Sequence, residues 1–254
     1  MKALLLVLLF PCVALADDPS AQQIADKAKD KNNTIGFDDA TADIVLKVTT
    51  KSKEVRLRQM TIKSKKNEGL SKSVVRFLAP PDVAGAAFLA IENKGRDNDQ
   101  FLFLPALGKT KRISSSQRSQ SFMGTDFSYG DFDGKYLSDA NVTKLADETV
   151  DGAACYVLDS VPKEAQAGEY GKAKVWIEKS TFMVRKVEFY DKQSSLWKVL
   201  RVVKVKNIEG RTVIAESVME DVKKGSKTEV QLGKIDFKAK IGDDEFTEKA
   251  LSRG

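Results

Sequence analysis

Hydrophobic residues along the chain change their spacing once. Near the start, Ala21, Ile24, Ala25 and Ala28 recur at helical spacing, and Ser20 with Gln23 forms a capping-box pattern after Pro19. The stripe is thin and built of small side chains, so this helix can pack against a sheet but cannot fold alone. From about residue 41 the period becomes two. Ile44, Leu46 and Val48 alternate with Asp43, Lys47 and Thr49; Met60 and Ile62 follow, then the run Val74–Leu78. The second half is more regular. Val175 and Ile177 alternate with Lys174 and Glu178, and Met183, Val187 and Phe189 with Lys186 and Glu188. A long run from Leu196 to Val205, then Val213, Ala215 and Met219, and then Val230, Leu232, Ile235 and Phe237, complete the series.

Turn pairs at Asp151-Gly152, Glu209-Gly210 and Lys224-Gly225, and the Asp191–Ser195 stretch, separate these runs. Strands joined by tight turns at this spacing predict a meandering antiparallel sheet. Its charged face is wet, and its apolar face has to be covered. Because the chain offers helices as well as strands, an unclosed barrel wrapped around helices fits better than a two-sheet sandwich. Between about Ala79 and Ala140 the alternation disappears among Pro80-Pro81, Gly85, Gly95, Pro105, Gly108, Gly124 and Gly130. An irregular stretch of that length inside a compact domain points to function.

The first residues read as export machinery. Lys2, the apolar run Ala3–Phe10 and the small-x-small pattern Ala14-Leu15-Ala16 predict a signal peptide over residues 1–16, cleaved after Ala16. An exported single domain over residues 17–254 then follows. Cys12 raises lipidation as a rival, but Pro11 stands where a lipobox has a small residue. Cleavage lowers the net charge from +6 to +5 and leaves Cys155, read as a small buried hydrophobe. Basic stretches, Arg56 and Arg58, Lys63 to Lys66, and Lys109 with Lys111 and Arg112, read as the solvated face of a sheet. Contact with anionic lipid is the functional alternative, and a nucleic-acid partner is not expected.

The chain has no histidine, which removes His-based catalysis and the common zinc motifs. No catalytic residue, metal site or cofactor is expected. Asp97-Asn98-Asp99 lacks the glycine and distal glutamate of a calcium loop and reads as a turn. Ser114-Ser115-Ser116 has no nucleophile-elbow context. Asn32-Asn33-Thr34 and Asn141-Val142-Thr143 match a glycosylation pattern that is common by chance. The conspicuous segments are apolar: AGAAFLAIE (Ala84–Glu92), FLFLPAL (Phe101–Leu107) and SFMGTDFSYGDF (Ser121–Phe132). Aromatic residues among glycines are ordinary core plugs or, alternatively, a flexible cover over an apolar cavity.

The stretch from Arg76 to Phe132, with PPDVAG, LPAL, KRISSS and FMGTDFSY, resembles the signature region of LolA-like outer-membrane lipoprotein-sorting proteins. The likeness is to the branch typified by a spirochaetal lipoprotein domain. It implies a mainly β, LolA/LolB-like fold: a strongly curved, unclosed antiparallel barrel with helices covering the concave face. It also implies a non-enzymatic, monomeric periplasmic carrier that holds acyl chains of a lipoprotein or other lipid. Transient membrane contact and an RND-type transporter are the implied partners. Phe88, Leu89, Phe101, Phe103, Trp176, Phe189 and Trp197 are the candidate cavity lining. Phe122, Met123, Gly124, Phe127, Tyr129 and Gly130 are the candidate lid, with hinges at the two glycines. A lipid-sensing module acting on a membrane partner is the alternative reading.

Overall fold

The computed structural model describes residues 18–31, 39–163 and 169–253. The expected signal peptide, its cleavage site, Cys12 and the Asn32–Thr34 pattern lie outside them. The first helix, α1 (Ala21–Lys31), carries the expected cap: Ser20 N donates to Gln23 Oε1 at 2.9 Å and Gln23 N to Ser20 Oγ at 3.2 Å. Ile24, Ala25 and Ala28 are completely buried.

Strands β1 (Ala40–Thr49), β2 (Val55–Asn67), β3 (Leu70–Ala79), β4 (Ala87–Ile91), β5 (Asp99–Leu104) and β6 (Lys109–Arg112) form one antiparallel meander. A two-turn helical passage, including α2 (Lys135–Ser138), leads to β7 (Ala140–Lys144), β8 (Glu148–Val150) and β9 (Ala153–Pro162). The second meander then runs through β10 (Lys172–Glu178), β11 (Val184–Tyr190), β12 (Leu196–Ile208), β13 (Arg211–Asp221) and β14 (Ser226–Asp236). The last element is α3 (Glu248–Leu251). Strand β14 pairs with β1, so the two meanders fuse into a single sheet with β6 at one edge and β7 at the other. Among the described residues no pairing joins those edges, and the barrel stays open.

Alternation works as expected in the central strands. In β1 the residues Ala40, Ala42, Ile44, Leu46 and Val48 are all buried, with Asp43 and Lys47 exposed between them. Ile44 and Leu46 join Met60, Ile62, Phe77, Val175, Ile177, Val187, Phe189 and Met219 in the main core on the concave face. Helix α1 covers the part of that face next to β7 and β9.

The stretch from 79 to 140, expected to be irregular, contains three strands, β4, β5 and β6. Their period was masked because both faces of β4 and β5 are covered. Phe88 points into the main core, whereas Leu89 on the other face packs with Val74, Phe101 and Phe103 under Phe246 and Leu251 of the C-terminal segment. Arg76 holds that segment in place, donating to the carbonyls of Ala250, Leu251 and Arg253 at 3.0–3.3 Å. A strand buried on two sides loses its polar positions and reads as a short apolar run. Cys155 is buried, as expected, with Val157 and Trp176 on the outer face of β9 and β10, and burial pushes its thiol pKa up. Among the described residues, no helix is long and apolar enough to cross a membrane.

Candidate functional site

The topology creates the site. Strand β6 ends at one edge of the open sheet and β7 begins at the other, so the chain between them must cross. Residues 113–139 make that crossing over the concave face, and the aromatic segment lies in it. Ser121 and Ser128 form an isolated antiparallel bridge, and Phe122 N donates to Phe127 O at 2.8 Å. A tight turn at Met123 and Gly124 closes this small hairpin; both have positive φ, +49° and +74°, the second natural only for glycine. A 3₁₀ turn, Tyr129–Asp133, follows, capped by Ser128.

The rings of this segment fill the sheet. Phe122 is 1% exposed and meets Phe77, Phe88, Tyr129 and Phe132 with ring centroids 4.6–5.7 Å apart, mostly edge to face. Phe127 and Tyr129 are buried as well. The segment is therefore an aromatic plug.

Four polar clasps fasten the plug to four different strands. On β2, Arg58, 7% exposed, donates from Nε to Met123 O at 3.1 Å and from Nη1 to Asp82 at 3.4 Å. On β14, Thr228 Oγ donates to Asp126 Oδ2 at 2.7 Å and accepts from Asp126 N at 2.9 Å. On β5, the buried Gln100 donates to Tyr129 O at 2.9 Å and to Asp133 at 3.0 Å, while Arg118 pairs with Asp133. On β12, Lys198 faces two carboxylates, Asp131 at 3.5 Å and Glu169 at 3.7 Å. Asp131 also accepts from Tyr170 OH at 2.8 Å, and Ser128 Oγ donates to Glu169. Each clasp gives buried polar atoms the partners that an apolar core alone could not.

Burial pushes the Glu169 carboxyl above the usual glutamate range; the Asp131 carboxylate adds to this and Lys198 opposes it. Asp133 is raised by burial too, against the pull of Arg118. A carboxyl that binds its proton more tightly folded than unfolded loses stability as pH rises from its unfolded value through its folded one. Glu169→Gln keeps the Lys198–Asp131 pair and removes that penalty. We expect it to match the wild type in acid and to be the more stable protein in mild alkali, a difference that chemical denaturation across pH will read.

The candidate lining residues divide. Phe88 and Phe189 lie on the concave face, and Phe189 stacks on Tyr170 at 4.5 Å. Trp197 stands at the margin, edge-on to Tyr170 at 5.6 Å with its Nε1 donating to Asp221 at 3.3 Å. Leu89, Phe101, Phe103 and Trp176 are not brought to that face; they pack on the outer side, Trp176 with Lys186 over its ring at 4.2 Å. Alternation explains the division, since Leu89 is one residue from Phe88 and Trp176 lies between Val175 and Ile177. Of the lid candidates, Met123 is half-buried and lines a cleft of about 420 Å³ with Pro81, Val83, Leu104, Pro105 and Leu107. Gly130 is tied down, its N–H donating to Arg118 O at 2.8 Å. Sequence reasoning missed Arg58, Lys198, Asp131 and Glu169. The one visible signal is a lysine at a position of β12 that shares its face with Leu196 and Leu200. Asp97, Asn98 and Asp99 lie in and beside the turn before β5, and Asp99 pairs with Arg96 and Arg112. Among the described residues no group of His, Cys, Asp and Glu could hold a metal ion.

A family model whose description reads "Uncharacterized protein" matches residues 69–253. A solved domain from Vibrio parahaemolyticus, described as outer membrane lipoprotein-sorting, is 31% identical. The alignment covers 92% of this chain and 98% of that one, with a TM-score of 0.84. The chain belongs to this LolA-like lipoprotein-sorting family. A DUF1329 family protein from Desulfovibrio piger is 25% identical over 92% of this chain and 100% of its own, with a TM-score of 0.82. A LolA superfamily protein from Nitrosomonas europaea is 25% identical over 91% and 98%, with a TM-score of 0.70. Curated proteins give no match. The open sheet of this chain is an instance of the LolA-like fold.

Proposed function

We propose that this LolA-like protein is a periplasmic carrier that shelters acyl chains of a lipoprotein or another lipid on its way to the outer membrane. An RND-type inner-membrane transporter is the partner the family resemblance implies, and the carrier acts as a monomer. The observation that carries this reading is the plug. The concave face is apolar from Phe77 and Phe88 across to Val187 and Phe189, and what covers it in front of β2–β5 is one crossing segment held by side-chain clasps. Displacing that segment exchanges ring contacts for acyl contacts without breaking a strand pairing. Each methylene that leaves water gains about 0.8 kcal/mol, so a fatty chain can compensate for the rings it replaces. Within the candidate set, Phe88, Phe189 and Trp197 are the lining, and Phe122, Met123, Phe127 and Tyr129 are the moving cover.

Organic extraction of protein purified from its native compartment, followed by mass spectrometry, is expected to yield lipid in near-stoichiometric amount. A fluorescent fatty acid is expected to bind the delipidated protein and to be displaced by that lipid. Protein that is empty when purified and ignores the probe would overturn the reading.

A further inference from the structure

One end of the open barrel gathers the turns after β1 (residues 50–54), β3 (80–86), β5 (105–108) and β13 (222–225). They touch one another: Pro105 packs against Gly85, and the Lys51 side chain against Gly225. Val55, Leu57, Leu78, Leu107 and Val222 stand on this rim, each 45–63% exposed. Leu57 and Leu78 lie on either side of the Gln59–Ala79 pairing where β2 and β3 meet this end. The cleft that Met123 lines opens between the 80–86 and 105–108 turns, so the rim surrounds an edge of the plug that borders a cleft.

The rim's charge is one-sided. Glu54, Asp82, Asp191 and Asp221 are matched by ion pairs with Arg56, Arg58, Lys223 and Lys224. Lys51, Lys53 and Lys109, all exposed, are in surplus. Apolar side chains set singly among lysines, spread over several turns, do not form the continuous groove that a peptide strand or helix needs. They suit an interface with an apolar depth and an anionic surface, where lysine stems lie along the apolar layer and their ammonium groups reach phosphate.

We propose that this rim docks the protein on a bilayer bearing anionic headgroups, with Leu57, Leu78 and Leu107 entering the interface and Lys51, Lys53 and Lys109 meeting phosphates. The proposal deepens the carrier reading, since it puts the cleft and the edge of the plug against the membrane. It does not require that cargo be bound.

The test is flotation of the purified protein with phosphatidylcholine vesicles, with and without phosphatidylglycerol, at low and high salt. The wild type is expected to float with the anionic vesicles and to be released by salt. Leu78→Asp/Leu107→Asp and Lys51→Glu/Lys53→Glu/Lys109→Glu are each expected to lose about tenfold or more in vesicle affinity. Val203→Asp, which alters an exposed valine in the middle of β12, is expected to float like the wild type. Unchanged melting curves establish that the rim variants are folded, and unchanged uptake of a soluble fatty-acid probe by the triple lysine variant separates docking from carriage. Rim variants that float like the wild type, or a wild type that floats with neither vesicle, would overturn the proposal. So would a rim that crosslinks to a membrane protein while ignoring lipid. Flotation without probe uptake would leave docking standing and sink the carrier reading instead.

Discussion

Phe122→Ala is expected to lower the unfolding free energy by about 3–5 kcal/mol, the range for removing a fully buried phenylalanine ring from a packed core. The size follows from the ring's surroundings. Phe122 is 1% exposed and touches Phe77 on β3, Phe88 on β4, and Tyr129 and Phe132 from its own segment. Sheet and crossing chain therefore share it, and neither can close on the void without moving the other. Because the plug is held by side chains and not by strand pairing, part of the loss should appear as local opening. Hydrogen exchange at Phe122 and Thr125, whose amides donate to Phe127 O and Phe122 O, should accelerate more than exchange in β13 or β14. The urea midpoint should fall with little change in slope. A loss under about 1 kcal/mol would mean that the segment is a surface flap, and the carrier reading would need another cover.

The fold was legible wherever one face of a strand is wet. Ile44, Leu46 and Val48 against Asp43 and Lys47 announce β1 and its register, and Ser20 with Gln23 announces α1. Legibility failed at β4 and β5, where the C-terminal segment covers the second face with Phe246 and Leu251, a contact spanning more than half the chain that no local window contains. The same blindness misassigned the face of Leu89, Phe101 and Phe103: an aromatic run shows that burial occurs but not on which side. The plug was visible as a cluster of rings around Gly124 and Gly130, and its place in the chain follows from topology, since only the connection from β6 to β7 must cross the open sheet. Its clasps were not visible. Arg58 sits in a strand whose even positions Met60 and Ile62 face inward, and a basic residue there reads as part of a solvated sheet face, although it is 7% exposed. The carboxylates that make Lys198 tolerable, Asp131 and Glu169, lie 67 and 29 positions before it, and only the folded crossing brings them together.

That triad sets the second large effect. Lys198 is 3% exposed, and its ammonium also lies over the rings of Tyr170 and Trp197 at 5.3 and 5.2 Å. Lys198→Met keeps the aliphatic stem and deletes the charge, leaving two buried carboxylates facing each other. Breaking a buried ion pair from one side costs about 3–5 kcal/mol, most of it the uncompensated charge that remains. The deficit should therefore depend on pH in a definite sense. Without Lys198 the Glu169 carboxyl, already raised by burial, loses the charge that opposes that rise, so the variant should lose stability against the wild type as pH rises through and above the carboxylate range, and recover toward it in acid. Neutralising the partners too should rescue it: Lys198→Met/Asp131→Asn/Glu169→Gln leaves no charge in the triad and should regain much of the loss at neutral pH, a non-additivity that denaturation of the single, double and triple variants will measure. A Lys198→Met deficit that is flat with pH would show that the lysine acts by packing alone. A rescued triple variant that takes up the fatty-acid probe faster than the wild type would show that the clasp on β12 limits how readily the plug lifts, because it would restore stability while leaving the crossing segment without the ion pairs that fasten it.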